Sequence, residues 1–225
     1  MTRTTSLLAL GLAFAAFVAA PAASRPKRLP DLIVLPSGLL DQQITDDGTR
    51  RLLRFTTVIV NAGSDRLEVT GRRAKDGRMR AFQVHRGKAP REIGEFEYHA
   101  EHGHWHLLNV AQYRLRDGSG AVVGTSDKIS FCLRDDFHAM PNLPHSPPAR
   151  RYFDVCNKDP NARRLLNGIS IGWGDVYGRH LDDQWVEITG LPAGDYTLEV
   201  EVNPEGIVRE ASGENNVTTV PVTLP

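Results

Sequence analysis

The chain lacks the long apolar run that a membrane span of roughly 20 residues needs. Its longest, "LLALGLAFAAFVAA" from Leu7 to Ala20, is too short and sits near the amino terminus. It lacks an excess of either charge: Lys plus Arg number 27 and Asp plus Glu number 27. No global field therefore recruits nucleic acid or an anionic bilayer. Cysteine is nearly absent, with Cys132 and Cys156 alone, so neither a disulfide-rich scaffold nor a cysteine-built zinc site is available. Helical periodicity is also missing, and only Pro160 to Leu166 has a weak helical look.

What is present first is an exported leader. Arg3 precedes the apolar run, and Ala20-Pro21-Ala22 supplies a small-residue cleavage site. The expectation is a signal peptide over 1–22, a flexible lead-in over 23–30 and a single β domain over 31–225, secreted and with no membrane anchor after cleavage. In an exported chain the two cysteines read as a Cys132–Cys156 bridge, with two buried thiols as the alternative. The bridge would close over the Pro-rich "HAMPNLPHSPPARRYFD".

Strand patterns fill the remainder. "RLLRFTTVIVNAG", "DRLEVTG", "NVAQYRLRDGSGAVVGTSDKISFCL", "QWVEITGLPAGDYTLEVEVNP" and "NNVTTVPVTLP" are short, β-rich and separated by turn residues. The fold class expected is all-β: an antiparallel β-sandwich with an immunoglobulin-like core and long loop insertions.

Histidine is concentrated in one place. "YHAEHGHWH", Tyr98 to His106, holds four of the eight histidines. On an extended strand His102, His104 and His106 share one face. The outer pair would lie roughly 13 Å apart on a flat strand. Three ligands therefore need a bend, which Gly103 can supply. Three imidazoles without cysteine suit copper(II), zinc or nickel; a solvated polar face is the alternative. His99 is offset by one residue and reads as an outer partner or a structural group. Glu95, Glu97 and Glu101 read as solvated acids, with acceptance of a ligand's far ring N–H as the alternative.

Several motifs then occur in a telling order: "HGHWHLLNVAQYRL", "GTSDKISFCLRD", "GWGDVYGRHLDDQWVEITGLPAGDYTLEVEVNP" and "IVREASGENNV". Over about Tyr98 to Val217 this closely resembles the catalytic domain of the lysyl oxidase family. The resemblance implies copper(II) held by His102, His104 and His106. It also implies a lysyl tyrosylquinone, built from Lys128 of "DKISFC" and Tyr177 of "DVYG". The implied activity is oxidation of primary amines, peptidyl lysine or small amines, by O₂ to aldehydes, releasing peroxide and ammonia. Asp175, two residues before Tyr177, is the candidate proton-abstracting base, with Asp182 and Asp183 as alternatives.

Residues from "PDLIVLPSGLL" to "TVIVNAG", and the closing "VNPEGIVREASGENN", are also similar to immunoglobulin-like adhesion modules. Departures from the family pattern are informative. Animal enzymes carry more bridges, and the cysteine of their "DCQW" context is Asp183 here. A freer loop over His138 to His145 is then expected. The simple architecture fits a bacterial secreted form. Two other functions remain open on sequence grounds: a non-catalytic exported copper-binding module and a structural adhesion domain.

Overall fold

A computed structural model describes residues 28–126 and 129–225. The predicted leader, most of the lead-in, and Lys128 lie outside the described residues.

The described chain is all-β and antiparallel. Apolar alternation creates strands with one buried face, and those faces meet in a common core. Around that core the strands are distributed over four small sheets. The first holds β1 (Leu32–Val34), β4 (Thr57–Asn61) and β12 (Gly174–Tyr177), in the order β1-β4-β12. β4 is buried at all five positions, because the sheet's two faces are both covered. A second sheet packs β2 (Gln42–Asp46), β3 (Arg51–Phe55) and β13 (Trp185–Glu187) in the order β13-β3-β2. The single stretch "RLLRFTTVIVNAG" thus feeds two sheets, passing from β3 into β4 at Thr56.

The third sheet, β11-β5-β6-β7-β8, comprises β5 (Leu67–Arg73), β6 (Met79–Gln83), β7 (Arg91–His99), β8 (His104–Leu107) and β11 (Arg164–Ile169). β11 overlaps the stretch that has a weak helical look. Residues 160 and 161 form a turn, and from Arg164 the chain pairs with β5, Leu166 opposite Thr70. Pairing with a neighbouring strand overrides a local helical preference this weak. The fourth sheet runs β10-β9-β14-β15, with β9 (Ala111–Arg116), β10 (Val122–Thr125), β14 (Gly194–Val202) and β15 (Val217–Leu224). One helical turn, α1 (Pro36–Leu39), starts at a proline, which fits the first helical position.

On the outer face of the fourth sheet Glu199 receives Arg114 at 2.7 Å and Arg116 at 2.8 Å. The Arg116 hydrogen bond, and then that of Arg114, hold the Glu199 carboxyl below its usual range. A depressed folded pKa contributes stability that is complete above the unfolded value and lost as pH falls through the folded one. Glu199→Gln therefore costs about 1 kcal/mol at pH 7, and the gap from wild type narrows toward pH 3, as denaturant unfolding at the two pH values checks.

Cys132 and Cys156 form the expected bridge, with Cα atoms 5.7 Å apart and a sequence separation of 24. Closing a loop of that size contributes about 3 kcal/mol in the chain-entropy model. The enclosed segment is tied down by more than the bridge. Buried Asp135 accepts the backbone N–H groups of Arg151, Tyr152 and Ser170. His138 stacks on Trp173 with ring centroids 4.3 Å apart, and the Trp173 indole N–H donates to the Pro147 carbonyl at 2.9 Å. Gly172 sits at φ 74, where a Cβ would lie 2.5 Å from the Met140 carbonyl oxygen. These contacts tie the enclosed segment to the rest of the fold.

Candidate metal centre and tyrosine pocket

The histidines lie on a hairpin rather than on one flat strand. β7 ends at His99, the chain turns through residues 100–103, and β8 begins at His104, directly opposite His99. His102 is therefore in the turn, while His104 and His106 share the strand. Gly103 makes this possible: it adopts φ 66, and its N–H donates to the His99 carbonyl at 2.8 Å. A β-carbon at that φ would be strained. The turn brings His102 back over the strand, shortening the reach that a flat strand would demand.

Ring nitrogens converge on His106, which is fully buried. Its Nε2 lies 2.8 Å from His104 Nε2 and 3.4 Å from His102 Nδ1. With metal–nitrogen bonds of about 2.0 Å, ligands at right angles are about 2.8 Å apart and tetrahedral ones about 3.3 Å apart. Both separations fit one ion. Two of the opposite nitrogens, those of His106 and His104, have partners within hydrogen-bond reach that favour the required tautomers. His106 Nδ1 lies 3.2 Å from Ser130 Oγ, and His104 Nδ1 lies 2.9 Å from the His102 carbonyl. His102 Nε2 faces Asp183 Oδ2 at 3.9 Å. In this tautomeric set His104 and His106 present Nε2 lone pairs and His102 presents its Nδ1.

His99 is closer to the centre than its sequence phase suggests. Among the described residues, His99, His102 and His106 form a group whose ligand atoms all lie within 4.8 Å of one another. His99 stacks on His106, ring centroids 4.4 Å apart, and its Nε2 is 3.1 Å from Ser130 Oγ. One hydroxyl thus touches both rings; with His106 Nε2 facing an ion it would accept from His106 Nδ1 and donate to His99 Nε2. The nearby acids divide. Glu95 pairs with Arg78 at 2.9 Å, whereas Glu97 lies 3.9 Å from His99 Nε2.

Tyr177 ends β12 and is buried. The Cys132 N–H donates to its hydroxyl at 2.7 Å, and the Phe131 ring meets it edge-on at 4.7 Å. Burial first, and the Asp175 charge second, push the phenol well above its ordinary pKa. Asp175 lies two residues earlier on the same strand and is 1% exposed. Arg134 adds a cation whose charge acts on both Asp175 and Tyr177. Asp182 is exposed. Asp183 adopts φ 61 and faces His102. Its neighbour Gln184 is fully buried and donates to the Tyr113 hydroxyl at 2.7 Å, which fixes that bend.

One short segment joins the two centres. Ser130 touches the histidines, Phe131 exchanges both backbone hydrogen bonds with Leu107 of β8, and Cys132 holds the Tyr177 hydroxyl. Ser130, Phe131, Arg134 and the Cys132 backbone carry no sequence signal for these roles, since "SFCLR" reads as an ordinary strand. Lys128, two residues upstream, lies outside the described residues.

Comparison with known proteins agrees in one direction. The lysyl oxidase family model matches residues 39–224. Lysyl oxidase homolog 2 of Gallus gallus is 32% identical over 184 residues, covering 81% of this chain and 19% of that protein. Lysyl oxidase homolog 4 of Mus musculus is 35% identical over 171 residues, 76% of this chain and 18% of that protein. Lysyl oxidase homolog 3B of Danio rerio is 33% identical over 175 residues, 75% of this chain and 17% of that protein. The chain thus spans about a fifth of the length of these curated relatives. A match this broad, over a hairpin of converging imidazoles and a buried tyrosine, places the chain in the lysyl oxidase family.

Proposed function

We propose that this chain is a secreted, copper-dependent amine oxidase that converts primary amines, peptidyl lysine or small amines, to aldehydes at the expense of O₂. In this reading residues 31–225 are the catalytic unit, exported by the segment over 1–22. The observation that carries the reading is the approach of the His104 and His102 imidazoles to His106 Nε2, one short segment away from a buried tyrosine.

His102, His104 and His106 would hold the copper ion, and Lys128 and Tyr177 would form the lysyl tyrosylquinone. When bound, these groups supply an oxidising metal and a carbonyl that accepts the substrate amine and two electrons. The protein's own residues do the rest. Ser130, the His102 carbonyl and Asp183 orient the three imidazoles so that a ligand nitrogen of each faces inward. The Cys132 N–H and the Phe131 ring fix the Tyr177 ring in position before any modification. The raised phenol pKa keeps the precursor hydroxyl protonated at neutral pH. The ε-amine of Lys128 must be neutral to join the ring, which a nearby metal charge favours. Asp175 takes the proton from the carbon that bears the substrate amine; its burial beside Tyr177 supports that role.

The test is peroxide release by purified, copper-loaded protein given n-butylamine, cadaverine and a lysine peptide. Amine-dependent peroxide and a quinone absorption band are expected. Stoichiometric copper with neither signal would leave an exported copper-binding module instead, and absence of stoichiometric copper would leave a structural domain.

A further inference from the structure

A second cleft lies at the far end of the β5–β8 sheet. Its volume is about 300 Å³, and its wall carries Arg28, Arg66, His85, Arg86, Lys88 and Arg209. Asp65 is the acid on that wall. A chain of zero net charge has therefore gathered five cationic side chains against one carboxylate at a single concavity.

Several cations elsewhere on the protein are neutralised. Arg78 pairs with Asp76 and Glu95, Arg114 with Glu199 and Glu201, and Arg134 with Asp136. In the cleft Arg66 has Glu68 at 3.0 Å. Among the described residues, Arg28, Arg86, Lys88 and Arg209 form no ion pair.

His85 is the second, independent observation. Both its ring nitrogens are buried, and neither has a hydrogen-bond partner among the described residues. A neutral imidazole carries one N–H, and a buried donor left without an acceptor costs about 1–3 kcal/mol. Burial lowers the His85 pKa, as do the Arg209, Lys88 and Arg91 charges, while Asp65 acts in the opposite sense. The orphaned donor and the unpaired cations lack the same thing, an acceptor bearing negative charge.

We propose that this cleft binds an oxyanion group of the phosphate or sulfate class, with Arg86, Lys88 and Arg209 supplying charge and His85, its ring turning toward the cleft on binding, an N–H donor. Phosphate or sulfate oxygens accept several such donors at once, and guanidinium groups suit them geometrically. The site is separate from the histidine hairpin. Arg91 and His99 stand at opposite ends of β7, eight residue steps or roughly 26 Å apart. The Arg91 end is tied to the cleft through Gln83, which accepts from the Arg209 N–H at 2.8 Å and from the Arg91 guanidinium at 3.3 Å. Anion binding here is thus independent of the amine chemistry proposed above.

Titration calorimetry of the copper-loaded protein with inorganic phosphate, inorganic sulfate and chloride, at matched ionic strength, tests the proposal. Saturable one-to-one binding of phosphate or sulfate is expected. Arg86→Met and Arg209→Met should each weaken it about tenfold, and His85→Phe should do so without changing net charge at pH 8. Arg78→Met, just before β6 and outside the cleft, should leave it unchanged. Melting curves guard against misfolding, and the Arg209 backbone bonds to Gln83 survive the substitution. No saturable heat beyond that of chloride, or binding indifferent to Arg86 and Arg209, would overturn the site.

Discussion

Tyr177→Phe eliminates amine-dependent peroxide release while the protein remains folded. The ring position stays filled, so the apolar contact with Phe131 is retained. What disappears is the oxygen that accepts the Cys132 N–H. A buried N–H left without an acceptor costs about 1–3 kcal/mol, which is a small loss for a domain with so extensive a core. Activity, by contrast, falls to background, because a phenyl ring has no oxygen from which a quinone can be built. Lys128→Ala gives the same kinetic result by removing the amine that joins the ring. Both variants should still bind copper. Activity persisting in either would mean that the electron-accepting group is built elsewhere. Loss of copper along with activity would instead indicate that the histidine site had been disturbed.

His106→Ala has the second large effect, on metal. His106 lies between His104 and His102, is fully buried, and is gripped from behind by Ser130. Removing an outer hydrogen-bond partner of a ligand typically weakens metal binding about 10- to 100-fold. Removing this central imidazole should exceed that, so that reloaded protein carries no stoichiometric copper after desalting. The same measurement separates the two histidine sets that the geometry allows. In the reading preferred here His104 is a ligand and His99 acts through Ser130. His104→Ala then abolishes copper retention, and His99→Ala weakens it about tenfold or less. Reversed outcomes would replace His104 with His99 in the ligand set, in line with the tight His99–His102–His106 grouping.

Much of this was legible in the residues. Alternation and turn punctuation marked β5, β9, β14 and β15, because each shows one face to the core. The crowding of imidazoles between Tyr98 and His106 was visible, and so was the glycine that lets the chain double back. Less visible was the form of that bend. A period-two pattern describes a strand, but Gly103 at φ 66 turns the segment into a hairpin, moving His102 into the turn and His99 opposite His104. Cross-strand neighbours come from pairing, which local spacing does not encode.

For the same reason Ser130 was not identifiable: its role arises because Phe131 pairs with Leu107, a contact between distant segments. The weak helical look of Pro160 to Leu166 failed because β5 offered an edge to pair with. Asp183 stands where the resemblance to the lysyl oxidase family leads one to expect a cysteine. Its carboxylate facing His102 became apparent only with the positive-φ bend fixed by Gln184 and Tyr113.

The central claim is that an amine from one segment becomes covalently joined to a phenol from another beside a histidine-held metal. Peptide mass spectrometry of copper-loaded, air-exposed protein tests it directly. The account predicts a single cross-linked species joining the peptide that contains Lys128 to the one that contains Tyr177, absent from Tyr177→Phe. Protein that oxidises amines while yielding those two peptides separate and unmodified would contradict it.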